Sequence, residues 1–346
     1  MLKMKAAYMT AMQKIEISDM EMDAPQADEV TVKLEYCGVC GSDVHFFEHG
    51  CIGNTKVPYP FILGHESAGI VTAVGKEVKN LKAGDRVALE PGVPCGKCEF
   101  CRQGRYNLCR EVKFLAAPPT NGAFREYINH PAFMTYRLPE NVSTLDGALI
   151  EPLAVGLQAV ENARFKPGKT ALILGSGAIG LVTMMACKAA GARTVVVSDL
   201  FERRLEKAKA LGADYVFHAG KDVDFMDMCG FTDGEGFDYV FETAGSKVTA
   251  AQTGYLVRRG GTIVMVGNIV GDVAFNFRNL YLKEADVKTV FRYRNQYPVA
   301  IQRIASGMIP VKEIVSHIFD FEEVGEALEK AAFHKEDVIK AVVKFK

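Results

Sequence analysis

From Thr170 onward the chain alternates short apolar runs with amphipathic ones, and this alternation restricts the possible folds more than any other feature. TALILG reads as a strand and AIGLVTMMACKAAGA as a helix; TVVVSD is the next strand and ERRLEKAKALGA the next helix. DYVFHA, FDYVFETAG and GTIVMVGN are further strand-like runs, KVTAAQTGYLVRRG is a helix between the last two, and DVKTVFRY closes the series. Strands joined through helices pair in parallel, and a parallel sheet is covered on both faces. Ligands of such sheets bind beyond the carboxyl ends of the strands, near the switch point. The turn after the first strand is GSGAIG, Gly175 to Gly180. Gly175 permits the tight turn, Gly177 lets backbone approach a pyrophosphate, and Gly180 allows close helix packing. The helix N-terminus then meets the phosphate charge. TVVVSD ends in Asp199, placed to accept ribose hydroxyls and to repel a 2′-phosphate, which predicts NAD over NADP. Arg204 nearby can serve adenosine or a phosphate, or simply face water on its helix.

The first 150 residues have a different texture. EVTVKLEYC, ESAGIVTAVG, DRVALEPG, AFREYINH and FMTYRLP read as strands of a β-rich domain with many turn residues between them. GALIEPLAVGLQAVENA has apolar residues at helical spacing and reads as one linking helix. After Arg292 the alternation loosens: PVAIQRIASG is a helix, SHIFDF a strand, EEVGEALEKAAF a helix and KAVVKF a strand. At 346 residues, two domains are expected. A net charge of −1 gives no basic surface for nucleic acid and no electrostatic case for membranes. No apolar run spans a bilayer and the N-terminus lacks a signal peptide's pattern. Nine cysteines without an export signal argue for metal or redox chemistry and a cytoplasmic setting.

Four of those cysteines, Cys95, Cys98, Cys101 and Cys109, are spaced C-x2-C-x2-C-x7-C in a polar stretch with little to bury. Four thiolates on a short loop close a tetrahedron around Zn²⁺, and such a site folds a lobe that has no core of its own. An iron–sulfur cluster also uses closely spaced cysteines, and four free thiols are the plainer alternative. A complete four-sulfur site has no free position and is structural. Cys40 in CGVCGSDVH, with His65 and Glu66 in LGHES, supplies a thiolate, an imidazole and a carboxylate, the ligand types of a zinc site that keeps one position open. Alone, Cys40 reads as a small buried hydrophobe and His65 as a hydrogen-bonded histidine; with Glu66 and a dinucleotide loop they read as a catalytic metal site. Asp43 can hold His65 in one tautomer, or be a turn aspartate. Ser42 and His45 can pass a proton from a substrate hydroxyl to solvent, or be a turn hydroxyl and a solvated ring.

CGVCGSDVH, LGHESAG, GDRVALEPG, NGAFREY, GALIEPLAVG, GSGAIG and VFRYRNQYPVAI together resemble the zinc-dependent medium-chain alcohol dehydrogenases, nearly end to end, and VFRY followed by PVAI resembles the sorbitol (polyol) dehydrogenase branch. The resemblance implies an α/β chain: a GroES-like β-rich catalytic domain at 1–153, a Rossmann doubly wound parallel-sheet NAD-binding domain at 154–291, and a segment at 292–346 returning to the catalytic domain, with the active site in the cleft between domains. It implies two zinc ions per chain, a catalytic one on Cys40, His65 and Glu66 and a structural one on the four cysteines. It implies Glu151 beside the catalytic metal; a second carboxylate ligand would make the site more anionic and a poorer Lewis acid, which assigns Glu151 to a metal-bound water or a substrate hydroxyl, with direct ligation as the alternative. Ile179, Asp199, Arg204, Val266, Gly267, Asn268 and Phe291 match cofactor contacts, and Phe46, Phe114, Arg292 and Tyr293 match substrate contacts. Phe46 stands where the family's pocket usually has tyrosine, and Ala117 where it usually has threonine, so the pocket is less polar. The implied activity is NAD-linked oxidation of a sorbitol- or xylitol-like polyol to the ketose. The alternatives are a zinc dehydrogenase for 2,3-butanediol or L-threonine, and a non-catalytic binding protein on the same fold. A small-molecule substrate, no nucleic acid or membrane partner, and a homo-oligomer, tetrameric by analogy, complete the expectation.

Overall fold

A computed structural model of the chain describes residues 2–220 and 222–346. Two compact units emerge, one of Met1–Glu151 with Tyr297–Lys346 and one of Pro152–Gln296.

The first unit is built on a mixed sheet ordered Thr135–Arg137, Arg86–Leu89, Glu66–Val74, Glu29–Gly38, Ala341–Lys344 and His317–Asp320; Tyr127–Pro131 also pairs with Glu29–Gly38. Its neighbours are antiparallel except His317–Asp320, which lies parallel to Ala341–Lys344. A second sheet of Lys14–Met22, Leu2–Ala11 and Phe61–Ile62 supplies Met9, Phe61 and Ile62 to one apolar core shared with Leu34, Val71, Phe124 and Val343. The tail is pinned where it enters this unit: the buried Tyr297 donates its hydroxyl to Leu89 O at 2.8 Å and packs on Tyr136.

Register then decides where the chemistry lies. Glu29–Gly38 runs out at Gly38, whose partner on one side is Glu66 and on the other Val342. Cys40, His65 and Lys340 lie within two residues of those three positions, so pairing alone gathers them at one end of the sheet. A one-residue slip would turn each side chain to the opposite face.

The second unit has six parallel strands ordered Tyr215–His218, Thr194–Asp199, Thr170–Leu174, Phe237–Glu242, Val257–Met265 and Asp286–Thr289. The order reverses between Thr170–Leu174 and Phe237–Glu242, which is the switch point of a doubly wound sheet. Thr170–Leu174 is buried at every position, as a strand covered on both faces must be. Two local expectations are corrected. The helix expected over KVTAAQTGYLVRRG ends at Leu256, and Val257–Gly260 already belong to the next strand; β-branched Val257 suits a strand and pairs with Phe237, while the glycines that follow are poor helix formers. The linking helix is broken at Leu149 into Thr144–Ala148 and Ile150–Asn162, with Pro152 in the first turn of the second piece, where a missing N–H costs nothing.

One buried carboxylate ties the cysteine-rich lobe to the sheet. Glu90, 1 % exposed, accepts from Tyr106 Oη at 2.7 Å and from Tyr136 Oη at 2.9 Å. Burial raises its carboxyl to about 7, against the pull of the two phenols. Between its ordinary 4.5 and about 7 the folded chain therefore binds the extra proton, so this group's stabilisation is complete below pH 4.5 and is lost as pH rises through 7. Glu90→Gln should remove that slope, worth roughly 3 kcal/mol, and melt above the parent at pH 8. Urea unfolding from pH 5 to 8 checks it; parallel pH dependences would refute it.

Candidate metal and dinucleotide sites

Cys40, His65 and Glu66 each present a ligand atom within 4.8 Å of the other two. Asp43 organises them. It lies in the first turn of the helix Gly41–His49, capped by Cys40, and it is fully buried. Its Oδ2 accepts from Cys40 N at 3.0 Å, and its Oδ1 accepts from Gly64 N at 3.0 Å and lies 3.4 Å from His65 Nδ1. Burial alone would raise this carboxyl; the His65 ring and the two N–H donors overcome it and hold Asp43 below its usual range. Because Asp43 takes Nδ1, Nε2 is the nitrogen left for a metal. His65 packs on Phe114, ring centroids 5.5 Å apart.

The pocket suits a cation. Burial opposes a charge on His65, yet Asp43 and the Cys40 sulfur push it well above its ordinary value. The surroundings that favour a proton there favour a metal ion more. Room is also provided: a Cβ on Gly38 would lie 1.9 Å from Glu66 Oε2, so only glycine admits that carboxylate.

Lys340, which sequence reading passed over, completes the pocket. It is 3 % exposed, donates to Val39 O at 3.0 Å and forms an ion pair with Glu66 Oε2. Burial would lower its amine; Glu66, Cys40 and Glu151 raise it above the usual value instead. The only signal in the sequence is a lysine directly ahead of the apolar run AVV. Glu151 is buried near Lys340 but does not join the three converging donors. Ser42 and His45 lie three residues apart on the helix Gly41–His49, both half-buried, with His45 edge-on to His49 at 4.6 Å. Phe46 on the same helix belongs to the apolar core.

Cys95, Cys98, Cys101 and Cys109 converge within 4.8 Å as well. Cys95 N donates to Cys109 Sγ and Cys98 N to Cys95 Sγ, both at 3.4 Å. The N–H groups of Lys97 and Cys98 lower Cys95 to about 7, whereas desolvation and the adjacent thiols push Cys101 up to about 12. Four sulfurs this close ionise together only around a cation. A third group among the described residues, His334, Glu336 and Asp337, is wholly exposed.

In the second unit the three glycines do what their places in the loop require. Gly175 has φ +99°, and a Cβ there would meet Ala244 backbone at 2.9 Å. Gly177 caps the helix Ala178–Ala189 and is open except toward Arg204, while a Cβ on Gly180 would strike Gly175 O at 1.9 Å. Asp199 ends its strand with Oδ2 accepting from Ser176 N at 2.6 Å and Oδ1 from Phe201 N at 3.0 Å, so it braces the glycine loop itself. Arg204 lies over the Phe201 ring. Val266 N and Gly267 N donate to Glu242 O beside the switch point, and Asn268 follows, exposed. Ile179 is half-buried on the helix and Phe291 exposed under the Arg292 guanidinium. Arg292 adopts φ +55°, and Tyr293 is buried.

The family model described as alcohol dehydrogenase GroES-like domain matches residues 26–140, and zinc-binding dehydrogenase matches 178–306. The chain is 40 % identical to sorbitol dehydrogenase of Bacillus subtilis, covering 98 % of this chain and 97 % of that one. A crystal structure of an Escherichia coli oxidoreductase/dehydrogenase of unknown specificity is similar with TM-score 0.96, 46 % identity and complete coverage of both chains. 2R,3R-butanediol dehydrogenase of Bacillus subtilis is similar with TM-score 0.90 and 31 % identity over 99 % of each.

Two outcomes follow from the geometry. Gly180→Ala must displace the Gly175 carbonyl, and should weaken NADH binding by at least roughly tenfold, about 1.4 kcal/mol, in a fluorescence titration, with metal content unchanged. Cys98→Ser should lose one metal equivalent per chain and lower the Tm; an unaltered melting curve would mean that the lobe needs no ion.

Proposed function

The chain belongs to the zinc-dependent medium-chain alcohol dehydrogenases, in the sorbitol dehydrogenase branch, and from that premise we propose that it oxidises a secondary hydroxyl of a sorbitol- or xylitol-like polyol, with NAD as hydride acceptor. The observation that carries the reading is the convergence of Cys40, His65 and Glu66 at the open end of the sheet. They hold the catalytic zinc, and Cys95, Cys98, Cys101 and Cys109 hold a second, structural one. When bound, zinc supplies a Lewis acid for the substrate hydroxyl, and NAD takes up hydride. The balance is alcohol plus NAD⁺ to ketone, NADH and a proton.

The chain's own residues do the rest. Asp43 fixes His65 in its metal-binding orientation. Ser42 and His45 take the hydroxyl proton outward along one helix face. Glu151 sits by a substrate hydroxyl or water, since it stands apart from the three converging donors. Gly175, Gly177 and Gly180 seat the pyrophosphate, with Asp199 and Arg204 at the adenosine end and Ile179, Val266, Gly267, Asn268 and Phe291 as further contacts. Arg292, Tyr293, Phe46 and Phe114 remain the proposed polyol contacts by likeness to the family. Among the described residues no helix is long and apolar enough to cross a membrane. A homo-oligomer, tetrameric by the same likeness, is part of the proposal and is read by light scattering.

Oxidation of 2,3-butanediol is the second reading, favoured by the similarity to the butanediol enzyme and by the lost hydroxyls at Phe46 and Ala117. Steady-state rates on sorbitol, xylitol, 2,3-butanediol and L-threonine, with NAD⁺ and NADP⁺ in parallel, decide between them. We expect the largest kcat/KM for a polyol with NAD⁺; a diol or threonine ahead of every polyol would replace the first reading, and no NADH from any alcohol would favour a binding protein. Cys40→Ser should lose one zinc and all activity together, and an active variant lacking that zinc would refute the mechanism.

A further inference from the structure

The buried lysine at the metal pocket has no part in the scheme above, yet it has one of the most confined positions in the first unit. Its backbone is locked by Ser316, with His317 N also donating to Lys340 O at 3.3 Å. Ser316 N donates to Lys340 O at 2.9 Å, Ser316 Oγ donates to the same carbonyl at 3.1 Å, and that Oγ accepts from Ile339 N at 3.0 Å and Lys340 N at 3.2 Å. The strand that follows then pairs Val342 with Gly38, and Val39 N donates to Ala341 O. The side chain therefore enters the pocket from a fixed root, and its ammonium reaches two groups, Val39 O and Glu66 Oε2.

Glu66 is thus held at one end. Oε2 rests over Gly38, in the space a Cβ would fill, and is claimed by Lys340. One oxygen of Glu66 joins Cys40 and His65, and the oxygen not paired with the lysine is the candidate for that place. The difference matters because a catalytic zinc needs an open position, and a carboxylate that ligates through both oxygens fills it. The charge matters too: a thiolate and a carboxylate already cancel a divalent ion, and an ammonium on the carboxylate restores part of its Lewis acidity.

We propose that Lys340 is a positioning residue of the metal site, holding back one oxygen of Glu66 so that the carboxylate meets the metal through the other and a coordination position stays open for substrate. The inference rests on the reading of Cys40, His65 and Glu66 as the zinc ligands. Without the ammonium, Glu66 turns both oxygens to the metal, which binds more tightly and works more slowly.

Lys340→Met and Lys340→Gln test it in the full-length enzyme, with Lys340→Arg as the conservative variant; glutamine still offers a donor to Val39 O and separates the charge from the backbone tie. Zinc whose loss tracks activity is withdrawn by a chelator and timed. Release from the Met and Gln variants should be slower than from the parent by roughly tenfold, the scale on which outer partners alter metal affinity, and kcat should fall. After replacement of that zinc by Co²⁺, the visible bands of the Met and Gln variants should shift, and those of the Arg variant should match the parent. Faster zinc release, or release and spectra identical to the parent, would overturn the inference; if Met fails to fold, the Gln variant decides alone. Cys40→Ser provides the separate control: if it retains the parent's zinc content, the ligand assignment itself fails and takes this inference with it.

Discussion

The pairing of Gly38 with Glu66 on one side and Val342 on the other is the constraint on which the rest depends. Three strands far apart in sequence end at one level, and each delivers a group: a sulfur from the turn after the first, an imidazole and carboxylate from the start of the second, an ammonium from just before the third. No loop has to be held in an improbable shape to gather them. The arrangement of these groups is inherited from backbone hydrogen bonds, which fix sheet registers more firmly than side-chain packing fixes loops. The glycine is part of this device, because a methyl group at that position would occupy the carboxylate's place.

Around this frame, charge is balanced within the pocket instead of by solvent. Asp43 is a helix-capping residue, a clasp between the turns at Cys40 and Gly64, and the partner of His65, all through two oxygens. A buried carboxylate is costly unless its lone pairs are used, and here they are. Lys340 plays the corresponding part for Glu66. Removing either leaves an ion without its partner in a closed space, so the same residues that shape the chemistry also secure the fold.

What could be read from the sequence was what depends on short spacing. The cysteine quartet and the glycine loop lie within 15 and 6 residues, and their chemistry follows from adjacency. The strand–helix alternation of the second unit was legible because buried parallel strands are apolar throughout, as Thr170–Leu174 is. Cys40 and His65 were joined only through the company of Glu66 and a dinucleotide loop, and the family likeness supplied the rest. Lys340 was illegible because its role comes from a register between residues some 300 apart, which no window of sequence displays. The boundary at Val257 was misread for a similar reason: the valine and the glycines after it are weak local signals, and pairing with Phe237 decides the conformation.

The order in which the chain is made has a bearing on the pocket. The strand Ala341–Lys344 lies in the interior of the first unit's sheet, between Glu29–Gly38 and His317–Asp320. Until residue 344 has left the ribosome, the Tyr36–Gly38 end of that strand, beyond the part covered by Tyr127–Pro131, has an open edge and the carboxylate of Glu66 lacks its counter-ion. The second unit, by contrast, is complete by residue 296. Synthesis therefore presents a finished nucleotide fold well before the half that must receive a metal, and the nascent first half waits through some fifty residues with its hydrogen-bonding edge exposed. A growing chain of this kind is vulnerable to wrong strand pairing at that edge, and safe from it only once Ala341–Lys344 has been made and paired.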